Sequence, residues 1–436
     1  MHKVDLILKD GTIASPGGIE QGDIAVAGGK ILAIGNVSHL AAAETLDCKH
    51  LHILPGVIDS QVHFREPGAT HKEDLETGSR AAVMGGVTSV FEMPNTKPET
   101  TTAAALADKV ARAKHRMFCD FAFYVGGTRE NFKLIPEFEM LEGSAGIKVF
   151  AGSSTGDLLV EDEAGLDAII SRLTRRAAFH SEDEARLRAR ISQQRAGDPS
   201  SHPIWRDEQA AVISTARLLR LAKKHNKRIH VLHISTAEEL PLLAAARDVA
   251  TVEVTPHHLT LSADDYGRLG TKLQMNPPVR EACHRTALWS AIHSGLVDVL
   301  GSDHAPHTLE EKAKPYPTSP SGMTGVQTFV PIMLNHVNEG RLTLQRFVDL
   351  TSYGPQRIFN MRGKGRIAEG YDADFTIVDL ARTETISNTW IESRCAWTPY
   401  DDVKVKGWPV GTYVRGIKAM WQGEISTEAF GEPVRF

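Results

Sequence analysis

Cysteine is scarce in this chain. The four present, Cys48, Cys119, Cys283 and Cys395, never take the paired spacing of a zinc knuckle or a redox motif. They are expected as free thiols of a reducing compartment. Long hydrophobic runs are also missing: none approaches the ~18 residues that would suggest a membrane span. The opening MHKVDLILKDGTI has no apolar signal core followed by a small-residue cleavage site, so a cytoplasmic protein is the expectation. Charge of one sign is not in excess either. A net charge of -5 is mild for 436 residues and gives no sign of a nucleic-acid or membrane-surface partner. GSSTG, residues 152–156, lacks a lysine at phosphate-loop spacing and is not read as nucleotide-binding. There is no solenoid-length repeat and no low-complexity segment.

What remains is ordinary globular material, and the length allows one domain of about 250–300 residues plus a smaller one. The first 54 residues read as short strands broken by Asp-Gly and Gly-Gly turns, as in KVDLILKDGTI and GDIAVAGGKILAIG. From residue 55 to 362, apolar strands such as GVTSVFEM, DFAFYVG, GIKVFAG, KRIHVLHIS, ATVEVTP and LVDVLGSD alternate with helical patterns. Roughly eight such units point to an α/β fold, a (β/α)₈ TIM barrel, although a doubly wound sheet shows the same alternation. The barrel is favoured because nearly every apolar run ends in His, Lys, Asp or Asn, and strand ends of a barrel converge on one mouth. Strand texture returns over 363–436, so a small β-sandwich domain built from both termini is expected beside the barrel.

Several strand ends carry candidate chemistry. In GVIDSQVHFREPG, Gln61, His63 and Arg65 share one face of a strand, placing a metal-ligand type beside an anion-binding arginine. Taken alone, a histidine after an apolar run is more often structural. AAFHSED and DVLGSDHAPH add His180 and Asp303 at other strand ends, and a carboxylate there can bind a metal and move a proton. Asp303 alone would equally suit a helix cap or turn. The two histidines of IHVLHIS point to opposite faces, and His233, nearer the C-terminal end, is the candidate while His230 is read as structural. Lys148 in GIKVFAG cannot ligate as an ammonium. Buried beside metals it loses its proton, and the amine can take up CO₂ as a bridging carbamate; an ordinary buried ion pair is the alternative. Asn95, Asn276 and His307, with Arg65, could grip a carboxylate and an amide. His257 and His258 of TPHHL are read as supporting structure.

Together, DSQVHFREPG, FEMPNTKP, GIKVFAGSSTG, FHSEDE, HVLHIST, TPHHL, MNPPVR and GSDHAPHT resemble, in order, the motifs of dihydroorotases of the amidohydrolase superfamily, over about residues 50–380. The resemblance implies a divalent metal centre, usually Zn²⁺, with one or two ions per chain. It also implies reversible conversion of dihydroorotate to N-carbamoyl-aspartate in pyrimidine biosynthesis. It places His63, His180, His233, Asp303 and carboxylated Lys148 as metal ligands, and Arg65, Asn95, Asn276 and His307 as substrate-binding residues. The arginine and asparagine suit a ring bearing a carboxylate, unlike hydantoinases and allantoinases. A homo-oligomer is implied, and aspartate transcarbamoylase is a partner known for such subunits.

One departure stands out. The family has histidine at position 61, whereas Gln61 offers a neutral carbonyl that is a weaker zinc donor than imidazole. Three readings follow: a dihydroorotase with a reduced centre, a cyclic-amide hydrolase of another substrate, or a non-catalytic partner of aspartate transcarbamoylase. A second departure is Gln327, where the family usually has an acidic residue.

Overall fold

The computed structural model describes residues 3–153 and 158–436, so part of GSSTG lies outside the described residues. The N-terminal segment forms β1 (Lys3–Ser15), β2 (Gly18–Ala27), β3 (Lys30–Gly35), β4 (Ala41–Asp47) and β5 (His52–Pro55). Eight strands follow: β6 (Val57–Val62), β7 (Val87–Glu92), β8 (Asp120–Gly126), β9 (Ser144–Phe150), β10 (Ala177–His180), β11 (Ile229–Val231), β12 (Ala250–Val254) and β13 (Val299–Leu300). The C-terminal segment adds β14 (Phe375–Thr385), β15 (Lys404–Val414), β16 (Ile417–Trp421) and β17 (Glu424–Ile425).

β6 to β13 pair in sequence order as an eight-stranded parallel sheet. Its edges meet where His63 N donates to His304 O at 2.7 Å and Val62 bridges His304, closing a barrel. Every residue of β6 to β13 is buried, as expected of parallel strands covered on both faces. Helices such as Leu75–Met84, Ala103–Ala113, Glu163–Arg172 and Glu208–His225 cover the outside, and each begins at an Asp or Thr whose side chain caps the first turn.

Both termini share a nine-stranded mixed sheet, ordered β17-β16-β15-β14-β5-β1-β2-β3 with β4 branching from β1. The seam is the antiparallel β5–β14 pair, where Leu54 lies opposite Thr376. The core of this sheet includes Leu6, Leu8, Ile24, Ile53, Phe375 and Trp397. Gln327 clasps the two units: its amide donates to Trp390 O at 2.6 Å and accepts from Glu392 N at 2.8 Å. An ionised acid could not make the first bond, which gives the glutamine a structural reason to be there. Among the described residues, no helix is long and apolar enough to cross a membrane.

Candidate metal centre and substrate site

At the C-terminal end of the barrel the chain leaves three strands by unusual backbone turns. Arg65, His233 and Asp303 have φ of 59°, 37° and 48°, a left-handed region sparsely used by residues other than glycine. Such strain concentrates at functional sites, and here each turn falls on a candidate residue. Gly301 permits the last of these approaches, since a Cβ there would lie 2.7 Å from Glu253 Oε2.

The candidate ligands form two facing pairs. His180 Nδ1 lies 3.1 Å from His233 Nε2, while His180 Nε2 donates to Glu182 Oε2 at 2.9 Å. Glu182 is itself gripped by fully buried Arg206, whose Nε reaches Oε1 at 3.0 Å. Although burial opposes it, that arginine and His180 hold the Glu182 carboxyl well below the usual range. An ionised carboxylate on Nε2–H leaves His180 Nδ1 as a bare donor atom. In the second pair, His63 Nε2 is 3.2 Å from Asp303 Oδ1, and its Nδ1 is 2.8 Å from Asn95 Oδ1. With Nδ1–H donating to Asn95, two acceptors face each other across 3.2 Å, a spacing that calls for a cation or a proton.

Burial holds His63, His180 and His233 below the ordinary imidazole pKa, which favours the neutral form that ligates. Lys148 is buried, and its charge bears on all four of His63, His180, His233 and Asp303. Desolvation pulls its amine down to about 7, opposed by Asp303 and Glu253. Burial, then Glu253, pushes the Asp303 carboxyl up to about 7. Gln61 Nε2 donates to Asp303 Oδ1 at 3.1 Å, and its Oε1 is buried with no hydrogen-bond partner. An orphaned carbonyl oxygen, neutral imidazoles and a buried carboxylate make a donor set that fits a divalent cation.

The substrate candidates sit around this mouth. Arg65 is buried, its Nε donates to Pro306 O at 3.2 Å, and its Nη2 lies 3.3 Å from His307 Nε2. No carboxylate forms an ion pair with it among the described residues. His307 takes Lys72 Nζ on Nδ1 at 3.1 Å and faces Ser321 O with Nε2 at 3.0 Å; burial drives its pKa down to about 3. Asn276 makes its hydrogen bond away from these residues, with Oδ1 2.9 Å from His202 Nε2.

Other histidines have their own partners, although His257 and His258 lie near enough to His233 to act on its charge. His230 is bonded to Thr251 Oγ1 at 2.8 Å and lies 3.4 Å from Glu253, inside the barrel. His258 spans Thr255 Oγ1 and Pro278 O, with the His257 ring tilted by 45° at 4.4 Å between centroids. The surrounding acids, Glu182, Glu253, Asp59 and Glu73, were not singled out from sequence. Glu182 had a signal: two residues after His180, it shares that residue's side of the chain. Among the described residues, the three His, Asp or Glu side chains whose ligand atoms all lie within 4.8 Å of one another are Glu208, Glu281 and His284, with both acids at least partly exposed; the candidate ligands at the mouth are not drawn together that closely.

The amidohydrolase family model matches residues 52–184 and 209–418. The dihydroorotase of Halobacterium salinarum is 36% identical over 441 residues, covering 99% of each chain. The dihydroorotase of Methanothermobacter thermautotrophicus is 36% identical over 411 residues, covering 92% of each. In three dimensions the L-hydantoinase (dihydropyrimidinase) from Arthrobacter aurescens superposes with a TM-score of 0.96 at 31% identity, over 99% of this chain and 100% of that one.

Proposed function

Since the chain belongs to the amidohydrolase family and is a cyclic amidohydrolase by its relatives, we propose that it acts as a dihydroorotase, opening the ring amide of dihydroorotate to N-carbamoyl-aspartate and closing it again. The observation that carries this reading is Arg65, a buried guanidinium at the mouth that forms no ion pair with a carboxylate among the described residues. Burying an unpaired charge is costly, and a substrate carboxylate would relieve that cost with a two-pronged bond. A hydantoin ring has no such group.

The rest of the site is given roles from its chemistry. His63, Lys148, His180, His233 and Asp303, with Gln61 as a weak extra donor, would hold Zn²⁺, and such an ion would supply water ionised near neutral pH and polarise the ring carbonyl. Lys148, with its amine near 7, is suited to carboxylation, which would turn it into an anionic oxygen ligand. Asp303 Oδ1 accepts the proton released by water and passes it to the departing ring nitrogen; a carboxyl near 7 can do both at neutral pH. Neutral His307, kept so by burial and neighbouring cations, orients beside Arg65 without repelling its positive charge more than a neutral ring must. Asn95 and Asn276 offer amides to the ring. The reading includes a homo-oligomer in the cytoplasm.

The test is turnover of dihydroorotate and N-carbamoyl-aspartate by protein supplied with zinc and bicarbonate, with hydantoin and allantoin run alongside. Arg65→Ala should raise KM for dihydroorotate about 10- to 100-fold, as loss of a charged hydrogen bond predicts. An unchanged KM would sink the substrate assignment. Preference for hydantoin would favour the activity named for the L-hydantoinase that superposes so closely. No turnover of any of these, with co-purification of aspartate transcarbamoylase, would mean a non-catalytic partner.

A further inference from the structure

A cavity of about 1390 Å³ opens at the opposite end of the barrel, bounded by the starts of β8 and β9, the segments entering β10 and β11, and the C-terminus. It is larger than the ~300–1,000 Å³ usual for small-molecule sites. In a chain of net charge -5, its walls are notably basic.

The basic groups are fixed in place without being neutralised. Arg175 Nη1 donates to Glu139 O at 2.6 Å and Ser144 O at 3.3 Å, and its guanidinium lies 4.4 Å over the Phe436 ring. Arg176 donates to Ile358 O at 3.3 Å and Ile229 O at 3.0 Å, and Lys227 Nζ to Leu173 O at 2.7 Å. Arg228, Arg362 and Arg435 project from the rim, exposed. Among the described residues none of these six forms an ion pair. The wall carboxylates are mostly engaged elsewhere: Asp120 with Lys364 and Arg415, Asp372 with Lys30, Glu142 with Lys114. Glu432, the terminal carboxylate and Glu139, whose charge bears on Arg175, are the acidic groups left to offset them. Burial lowers the pKa of Arg176 to about 10, with Arg228 adding to the shift and Asp298 opposing it.

We propose that this cavity is a binding site for a small anion carrying two or more phosphate groups. Guanidinium groups match phosphate oxygens in pairs, and side chains already held by backbone carbonyls lose little freedom on binding. Carbonyl oxygens orient a cation without cancelling its charge, so the attraction remains for a ligand. The site stands a strand length, ~13 Å, from the metal centre, because Arg176 and Arg228 precede the β10 and β11 that end toward His180 and His233.

The test uses the full-length zinc-loaded protein and calorimetric titration with inorganic triphosphate, a nucleoside triphosphate and citrate at low salt. Both phosphate ligands should bind at sub-millimolar concentration and weaken as salt rises. Arg228→Glu with Arg362→Glu, both at exposed positions, should weaken binding by at least about tenfold and leave turnover unchanged. Equal affinity for the two phosphates would assign the site to the phosphate chain alone; tighter nucleotide binding would extend it to the base and sugar. No binding at millimolar triphosphate, affinity unaltered by the double substitution, or stronger binding of citrate would overturn the proposal. If the double variant is misfolded by circular dichroism, Arg435→Gln alone must still lower affinity.

Discussion

In the proposed metal centre, Gln61 is the one side chain that exchanges an imidazole for an amide while the other candidate ligands stay in place. Its Nε2 holds Asp303 Oδ1 at 3.1 Å, while Oε1 is buried with no hydrogen-bond partner among the described residues. An imidazole at this position would present nitrogen, a stronger donor to zinc than an amide carbonyl, but would leave Asp303 without this hydrogen bond when its near nitrogen ligates. Gln61→His should therefore raise the zinc retained per chain after dialysis against a mild chelator, measured by mass spectrometry. Retention equal to the parent would mean that position 61 takes no part in holding the cation. The sequence made the ligand types visible, because histidine, lysine and aspartate at strand ends have a chemical reason to be there. It could not show what Gln61 bonds to: that depends on β6 and the segment after β13 meeting across the closure of the barrel, 242 residues apart.

At the scale of elements, the strand ends aim the candidate ligands, but a layer behind them sets their protonation. Glu182 follows β10 and bonds His180 Nε2, and Arg206, just after the short helix His202–Trp205, secures Glu182. Glu182→Gln keeps the shape and removes the charge that fixes the ring. It should weaken zinc affinity about 10- to 100-fold, the usual cost of losing such support. Competition with a chromophoric chelator would read this directly, and unchanged affinity would show that His180 needs no anchoring. The strands and helices themselves were legible: GVTSVFEM, DFAFYVG and ATVEVTP each hold a barrel strand, and AAVISTARLLRLAKKH lies within a helix. Period and turn residues are local signals, so they survive in the sequence. Arg206 was not legible, since an arginine in SHPIWRDE gives no local sign that it will be buried against a carboxylate.

For the whole molecule, the question is what fastens a barrel to a sheet made from both ends of the chain. Lys364 sits at that joint, buried, with Nζ 2.6 Å from Asp120 at the start of β8, 2.7 Å from Asp374 and 3.2 Å from Asp372. Burial alone would lower its pKa, but Asp374 and Asp372 together hold it above the ordinary lysine value, so the ammonium is the stable form. Arg415 also binds Asp120, leaving Asp374 as the group most dependent on Lys364. Lys364→Met keeps the length and deletes the charge, stranding a buried carboxylate, which costs about 3–5 kcal/mol of unfolding free energy. The sign with pH follows from linkage. Asp374 already has a raised pKa from burial, and without its cation that value rises further, so the folded variant binds a proton more readily than the unfolded chain does. The deficit should be largest near pH 8 and shrink as pH falls toward 5. Urea unfolding of parent and variant at both values checks this, and a deficit independent of pH would show that Lys364 acts through packing rather than charge.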